Sequence, residues 1–167
     1  MRTRRRSSLI EAKIKNLTEL KNIAYRLKKA GKKIVFTNGC FDLLHYGHIK
    51  YLEAAKRKGD ILIVAINSDV SVRKIKGEKR PIVKEHDRSR IVAALESVDY
   101  VVLFKECTPY KTLSLLKPDI LVKGSDWNKN NIVGADVVLN YRGKVTTVPL
   151  LKDRSTTNLI KKIARIF

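Results

Sequence analysis

The stretch KIVFTNGCFDLLHYGH, residues 33–48, moves from an apolar run through a glycine-bearing turn to two histidines around a second glycine. Residues 33–38 read as a buried β-strand. Helical spacing starts at His48, with Ile49, Leu52, Ala54 and Ala55 inward over residues 48–58, and Gly59 closes the helix. A strand that feeds a helix through such a turn is the opening unit of a parallel α/β sheet. Ligands in these sheets bind at the carboxyl ends of the strands, which is where Asn38, Gly39, Cys40, Phe41 and Asp42 fall.

The alternation continues downstream. Residues 60–67 (DILIVAIN) are a second buried strand, because a continuous apolar run marks a strand covered on both faces. Helices are expected at 87–98, 109–116, 131–140 and 155–166, and strands at 100–104, 119–123 and 144–149. Upstream, Ile10, Ile14, Leu17, Leu20, Ile23, Ala24 and Leu27 recur at helical spacing, predicting one helix over 9–30 that ends at Gly31. The expected fold is a single Rossmann-like α/β domain, with about five parallel strands and helices on both faces. Residues 1–8 read as a basic flexible tail and 9–167 as the domain.

Composition narrows the function classes. A length of 167 residues with 44% apolar residues suits one folded core. The longest apolar run, 61–66, is far below the roughly 20 residues of a membrane-spanning helix. Charged residues such as Glu11 and Lys13 follow the basic start where a signal peptide would be apolar. A cytoplasmic protein without membrane contact is expected. Cys40 and Cys107 form no disulfide framework and match no zinc pattern. Lysine and arginine number 36 against 16 acids, a net charge of +20. Such a surplus keeps nucleic acid open as a partner. No aromatic residues interleave with the basic clusters as a single-strand platform needs, so the expected partners are phosphorylated small molecules within a solvated basic surface rather than nucleic acid.

Four segments carry chemistry. In the first, His45 and His48 flank Gly47 at a helix N-terminus, where free N–H groups favour phosphate. Gly47 admits a triphosphate close to the backbone. The imidazoles can donate to phosphate oxygens whose charge grows as phosphorus is attacked. The second segment places Asn67, Ser68 and Asp69 at a strand exit, followed by Arg73, Lys74, Lys76, Lys79 and Arg80 on an expected loop around Gly77. Two anionic reactants repel, so a mobile cationic loop that neutralises both is useful; the same lysines would also serve as plain surface charge. In the third, Lys123, Gly124, Ser125, Asp126 and Trp127 leave a buried strand. Gly124 permits close approach and Asp126 can accept from a sugar hydroxyl or help place a cation, while a tight turn anchored by Trp127 is the alternative. In the fourth, Ser155, Thr156 and Thr157 open the last helix as a second anion cradle, or simply as its cap.

The segment TNGCFDLLHYGH (37–48) resembles the HxGH signature of the nucleotidyltransferase superfamily, in its cytidylyltransferase-like branch. With NSDVSVRKIKGEKRP (67–81), LVKGSDW (121–127) and STTNLIKKI (155–163), it most resembles the adenylyltransferase domain that makes ADP-heptose. The resemblance runs from about 32 to 163. It implies transfer of AMP from ATP to D-glycero-β-D-manno-heptose 1-phosphate, with pyrophosphate released and Mg²⁺ carried on the phosphates rather than on a protein metal site. It also implies His45, His48, Lys74 and Lys76 as catalytic residues. Nucleotide would be held by Asn38, Gly39, Cys40, Phe41, Asp42, His45, Gly47, His48, Lys123, Gly124, Asp126, Ser155, Thr156 and Thr157. Asn67, Asp69, Arg80 and Arg88 would hold the sugar phosphate. A homodimer is expected by analogy. In many relatives the domain follows a sugar kinase, for which this chain has no room, so it resembles a free-standing transferase. Glu96 and the run 150–153 depart from the glycerol-phosphate branch, which disfavours glycerol phosphate. A CTP-dependent transferase of another polyol phosphate and a basic nucleic-acid-binding module are the alternatives.

Overall fold

The apolar runs become five strands in a computed structural model that describes residues 9–125, 132–151 and 154–166. They are β1 (Ile34–Gly39), β2 (Ile61–Asn67), β3 (Tyr100–Phe104), β4 (Ile120–Gly124) and β5 (Lys144–Val148). All pairings are parallel, in the order β3-β2-β1-β4-β5, with Phe36 in register with Ile63 on one side and Leu121 on the other. Successive side chains of a strand face opposite ways, so each face builds its own core. Val35, Leu62, Val64 and Val101 pack with Leu52 and Ala55 of helix α3 (Tyr46–Lys56) and Val92 of α5 (Glu85–Ala93). Ile34, Phe36, Ile63 and Leu121 pack with Leu20 and Ala24 of α2 (Leu17–Lys29), and with Leu113 of α6 (Tyr110–Leu116) and Val138 of α7 (Ala135–Asn140). The architecture is Rossmann-like.

Two expectations about local structure are corrected. The stretch 9–30 is two helices, α1 (Leu9–Lys13) and α2, not one. The first ends at Lys13, and Asn16 caps the second: its side chain accepts from the Glu19 N–H at 2.9 Å, and the Glu19 carboxylate accepts from the Asn16 N–H at 3.3 Å. Between the helices Ile14 pairs with Val101 as an isolated parallel bridge. At the far end, Gly31 takes φ +73 and donates to Lys28 O, while Lys32 donates to Leu27 O, a Schellman closure. The second correction concerns the expected cationic loop. Residues 69–76 form helix α4 (Asp69–Lys76), started by Ser68, whose hydroxyl accepts from the Ser71 N–H, and ended by Gly77 at φ +94. Arg73, Lys74 and Lys76 therefore sit on a helix. The expected tail at 1–8 lies outside the described residues.

The sheet order positions the site. β1 has β2 on one side and β4 on the other, so the connections from its neighbours diverge and leave a crevice at its carboxyl end. Tyr51 of α3 fixes the helix over that point. Its hydroxyl lies 2.6 Å from Thr37 Oγ1 on β1 and donates to Val122 O on β4 at 3.1 Å. At the opposite edge, the carboxylates of Asp60, Asp119 and Asp99 accept from N–H groups at or beside the strand starts, those of Lys33, Ile34 and Leu62. These acids are thereby spent at the amino edge, away from the crevice. No described helix is long and apolar enough to cross a membrane.

Candidate active site

The carboxyl ends of β1 and β4, the start of α3 and the start of α8 (Thr156–Ile166) enclose a cavity of about 520 Å³. It gathers Asn38, Gly39, Cys40, Phe41 and Asp42 from the turn after β1, and His45, Gly47 and His48 from α3 and its cap. Asn67, Lys76, Arg80, Lys123 and Gly124 also line it, as do Ser155, Thr156 and Thr157. Asp126 lies outside the described residues.

Close packing holds the two histidines. Their rings stack with centroids 3.9 Å apart, and His48 Nδ1 accepts from the His45 N–H at 3.3 Å. With Nδ1 accepting, the proton of neutral His48 sits on Nε2. Burial pushes the His48 pKa down to about 4, with the neighbouring His45 adding to the effect. His45 is lowered as well, first by burial and then by the Arg154 charge. Both rings are thus neutral donors at neutral pH. The Nδ1 of His45 is buried and takes no hydrogen bond among the described residues.

Gly47 explains how the rings come so close to α8. A Cβ there would lie 2.9 Å from His45 Nδ1 and 3.1 Å from Arg154 Cβ. The N-termini of α3 and α8 thus meet across a glycine, and both present N–H groups to one cavity. At α8, Ser155 Oγ accepts from the Asn158 N–H and Thr156 donates to Leu43 O. Gly39 has a similar reason: its Cβ would lie 3.1 Å from the ring of Phe41, which is itself at φ +47 and buried. Lys123 donates to Asn38 Oδ1 at 2.5 Å, joining the exits of β4 and β1.

Three sequence-selected residues do not line the cavity: Lys74, Asp69 and Arg88. Lys74 is an exposed residue of α4. Arg88 has no exposed surface; it donates to Asp69 Oδ1 at 2.7 Å, to Val83 O at 2.8 Å and to Cys40 O at 2.5 Å. Asp69 also accepts from the Glu85 N–H, and the Glu85 carboxylate accepts from the Asp69 N–H. Both side chains are framework beside the cavity.

Other lining residues escaped the sequence reading. Cys107, Thr108 and Pro109 stand just past β3, and Tyr51 lies one helical turn beyond His48. The rule that strand exits form the site points to the first three, and helical spacing points to Tyr51. Leu150, Leu151, Ile75 and Val133 also line it among the described residues, as does Arg154 of the Ser/Thr segment.

The depressed His48 pKa has a consequence for stability. In the unfolded chain histidine titrates near 6.5. As pH falls below that value the unfolded state takes the proton first, so His48's contribution is intact above pH 6.5 and is lost on the way to about pH 4. Urea-unfolding midpoints should fall over that window, and a His48→Gln variant should fall less. Equal slopes for the two proteins would contradict the assignment.

The chain is 55% identical over 157 residues to the bifunctional protein HldE of Geobacter metallireducens, covering 94% of this chain and 32% of that protein. The bifunctional protein HldE of Geobacter sulfurreducens is 49% identical with the same coverage. The chain thus spans about a third of the length of these relatives. A solved lipopolysaccharide core biosynthesis protein from Thermoplasma volcanium superposes with a TM-score of 0.61 at 32% identity, over 74% of this chain and 100% of that one. A pantoate-beta-alanine ligase from Francisella tularensis shares the fold, with a TM-score of 0.57 at 19% identity, over 91% of this chain and 78% of that one. The cytidylyltransferase-like family pattern matches residues 36–162. That span begins on β1, takes in both histidines and ends on the helix that bears the hydroxyl cradle, and on this match the chain belongs to the cytidylyltransferase-like family.

Proposed function

We propose that the chain is a nucleotidyltransferase that joins the AMP moiety of ATP to D-glycero-β-D-manno-heptose 1-phosphate, giving ADP-heptose and pyrophosphate. One observation carries the reading: two stacked, neutral histidines at the start of α3 face the Ser155–Thr157 cradle at the start of α8 across one cavity. A triphosphate laid between two helix N-termini is held by N–H groups and hydroxyls from both sides. An oxygen of the sugar phosphate attacks the α-phosphorus in line. The new P–O bond forms as the bond from the α-phosphorus to the bridging oxygen breaks, and pyrophosphate leaves with that electron pair. His45 and His48 donate to the α-phosphate oxygens as their charge grows. No protein nucleophile takes part. The sugar-phosphate assignment is supported by the resemblance of the motifs, and a place in lipopolysaccharide core synthesis by the similarity to the Thermoplasma volcanium lipopolysaccharide core biosynthesis protein.

Mg²⁺ belongs to this proposal as an ion carried on the phosphates, where it would supply charge neutralisation. The Asp42 carboxylate is already filled by Arg80 and by the N–H groups of Ile82 and Val83. The cavity residues fit an ion that keeps its waters and phosphate oxygens as ligands. Cytoplasmic location, action as a homodimer, and small molecules rather than nucleic acid as partners go with the same reading.

The test is a pyrophosphate-release screen of ATP and CTP against heptose, glycerol and ethanolamine phosphates. ATP with the heptose 1-phosphate should exceed every other pair by at least about 100-fold, a gap of about 2.7 kcal/mol in transition-state binding. Faster turnover with CTP, or with another phosphate, would overturn the substrate assignment. The lysines give a second check. Lys76 lines the cavity and Lys74 does not. A charge facing phosphate in a partly closed cleft is screened less than one in water. Lys76→Gln should cost about 10-fold or more in kcat/KM, and Lys74→Gln less than about threefold. Equal losses would show that position on the cavity wall is irrelevant.

A further inference from the structure

Arg80 is the one arginine between β2 and α5 that lines the cavity, and its side chain is largely sheltered, at 18% exposure. Its Nε donates to Asp42 Oδ2 at 2.6 Å. Among the described residues neither terminal nitrogen of the guanidinium donates a hydrogen bond. A guanidinium gripped at Nε keeps its two NH₂ groups as a rigid fork, which suits two oxygens of one phosphate.

The grip is itself built into a locked frame. The Asp42 side chain is 1% exposed, and besides Arg80 it accepts from the N–H groups of Ile82 at 2.9 Å and Val83 at 2.8 Å. Burial opposes ionisation of Asp42, but these N–H groups and Arg80 outweigh it and hold the carboxyl below its ordinary range. Val83 is held from both ends: its N–H by Asp42, its carbonyl by buried Arg88. Arg88 also grips the carbonyl of Cys40, two residues before Asp42. Two buried charged side chains therefore tie the turn after β1 to residues 80–83. The segment that carries Arg80 is fastened before any ligand arrives.

We propose that Arg80 is a preset clamp for the phosphate monoester of the acceptor, and that Asp42 is a positioning residue that aims it rather than a ligand for nucleotide or metal. This rests on the transferase reading above. The acceptor's phosphate is assigned to Arg80 because the start of α3 abuts Arg154, just before α8, at Gly47 and reaches β4 through Tyr51, whereas Asn67 ends β2 and Lys76 and Arg80 follow it. Aiming lowers the ordering cost that a free arginine would incur on binding.

The experiment compares wild type, Asp42→Asn, Arg80→Gln and the double variant. Arg80→Gln should raise KM for heptose 1-phosphate about 10-fold or more, while KM for ATP moves less than about threefold. Asp42→Asn should give the same split, because an amide cannot receive three N–H donors or fix a cation. The double variant should be no worse than Arg80→Gln alone, since two residues acting through one contact are not additive. Additive losses, or equal rises in both KM values with a lower melting temperature, would assign Asp42 a merely structural role and overturn the proposal. Thermal-shift titration with inorganic phosphate separates the clamp from the substrate identity. Wild type should be stabilised saturably, and Arg80→Gln should lose that response. If wild type turns over no heptose 1-phosphate yet shows this difference, the substrate reading fails and the clamp stands; if wild type turns over normally but all four proteins respond alike to phosphate, the clamp fails alone.

Discussion

His48→Ala is expected to lower kcat by about 100-fold or more while the protein still folds, because loss of one oriented transition-state donor costs about that much. His48 is set up for that task. Its Nδ1 is occupied by the His45 N–H, so the tautomer is fixed and Nε2–H is the free donor. Burial keeps the ring neutral down to about pH 4, so no proton has to be shed before catalysis at neutral pH. The ring stacks on His45 at 3.9 Å and tilts against Phe41 at 5.5 Å, which restricts it without filling the donor position. Truncation removes the donor and a weak cap bond of 3.3 Å, so the melting temperature should drop by a few degrees at most. KM for ATP should change far less than kcat, as fits an interaction that strengthens in the transition state. Single-turnover kinetics and a melting curve on the same preparation check both halves. Turnover within about threefold of wild type would remove His48 from the chemistry.

Gly47→Ala should be comparably damaging, with a loss of about 100-fold in kcat/KM, although it adds a single methyl group. In a helix, alanine is favoured over glycine by about 1 kcal/mol, so α3 itself gains. The cost lies outside the helix. The new Cβ would sit 2.9 Å from His45 Nδ1, 3.0 Å from its Cε1 and 3.1 Å from Arg154 Cβ. His45 cannot yield freely, being stacked on His48, so either its ring turns away or α8 backs off with the Ser155–Thr157 cradle. Displacements near 1 Å in a positioned site cost about 100-fold. The distinguishing result is an activity loss without a stability loss. A Gly47→Ala protein that keeps wild-type activity would mean that the contact of the two helix N-termini does not matter for turnover.

Much of this arrangement was legible in the amino-acid order, and the remainder has physical reasons for hiding. The runs 33–38, 60–67 and 100–104 show as strands because burial on both faces demands continuous apolar sequence. Gly31 and the HYGH pair show because glycine at a turn or close approach has few substitutes. The break at Asn16 stayed hidden because Ile10, Ile14 and Leu17 keep helical spacing across it, and only the Asn16–Glu19 capping pair marks it. Helix α4 was obscured by its basic residues, which read as a phosphate loop; the Ser68 cap and the Gly77 stop were the better guides. The separation of Lys76 from Lys74 depends on which helix face meets the cavity, and that is set by packing across α4. Asp69 and Arg88 looked like binding residues because exposed charge and buried, paired charge are identical letters. Only the fold reveals that Arg88 spends its donors on Asp69, Val83 and Cys40.

The most direct test of the central claim follows the phosphorus atoms. The purified chain would be incubated with heptose 1-phosphate and with ATP labelled either at the α or at the γ position, and the products separated. Attack at the α-phosphorus, as proposed for the histidine pair, puts the α label into ADP-heptose and the γ label into pyrophosphate. A γ label on the sugar, or an α label recovered only in ADP or ATP, would contradict nucleotidyl transfer at this site.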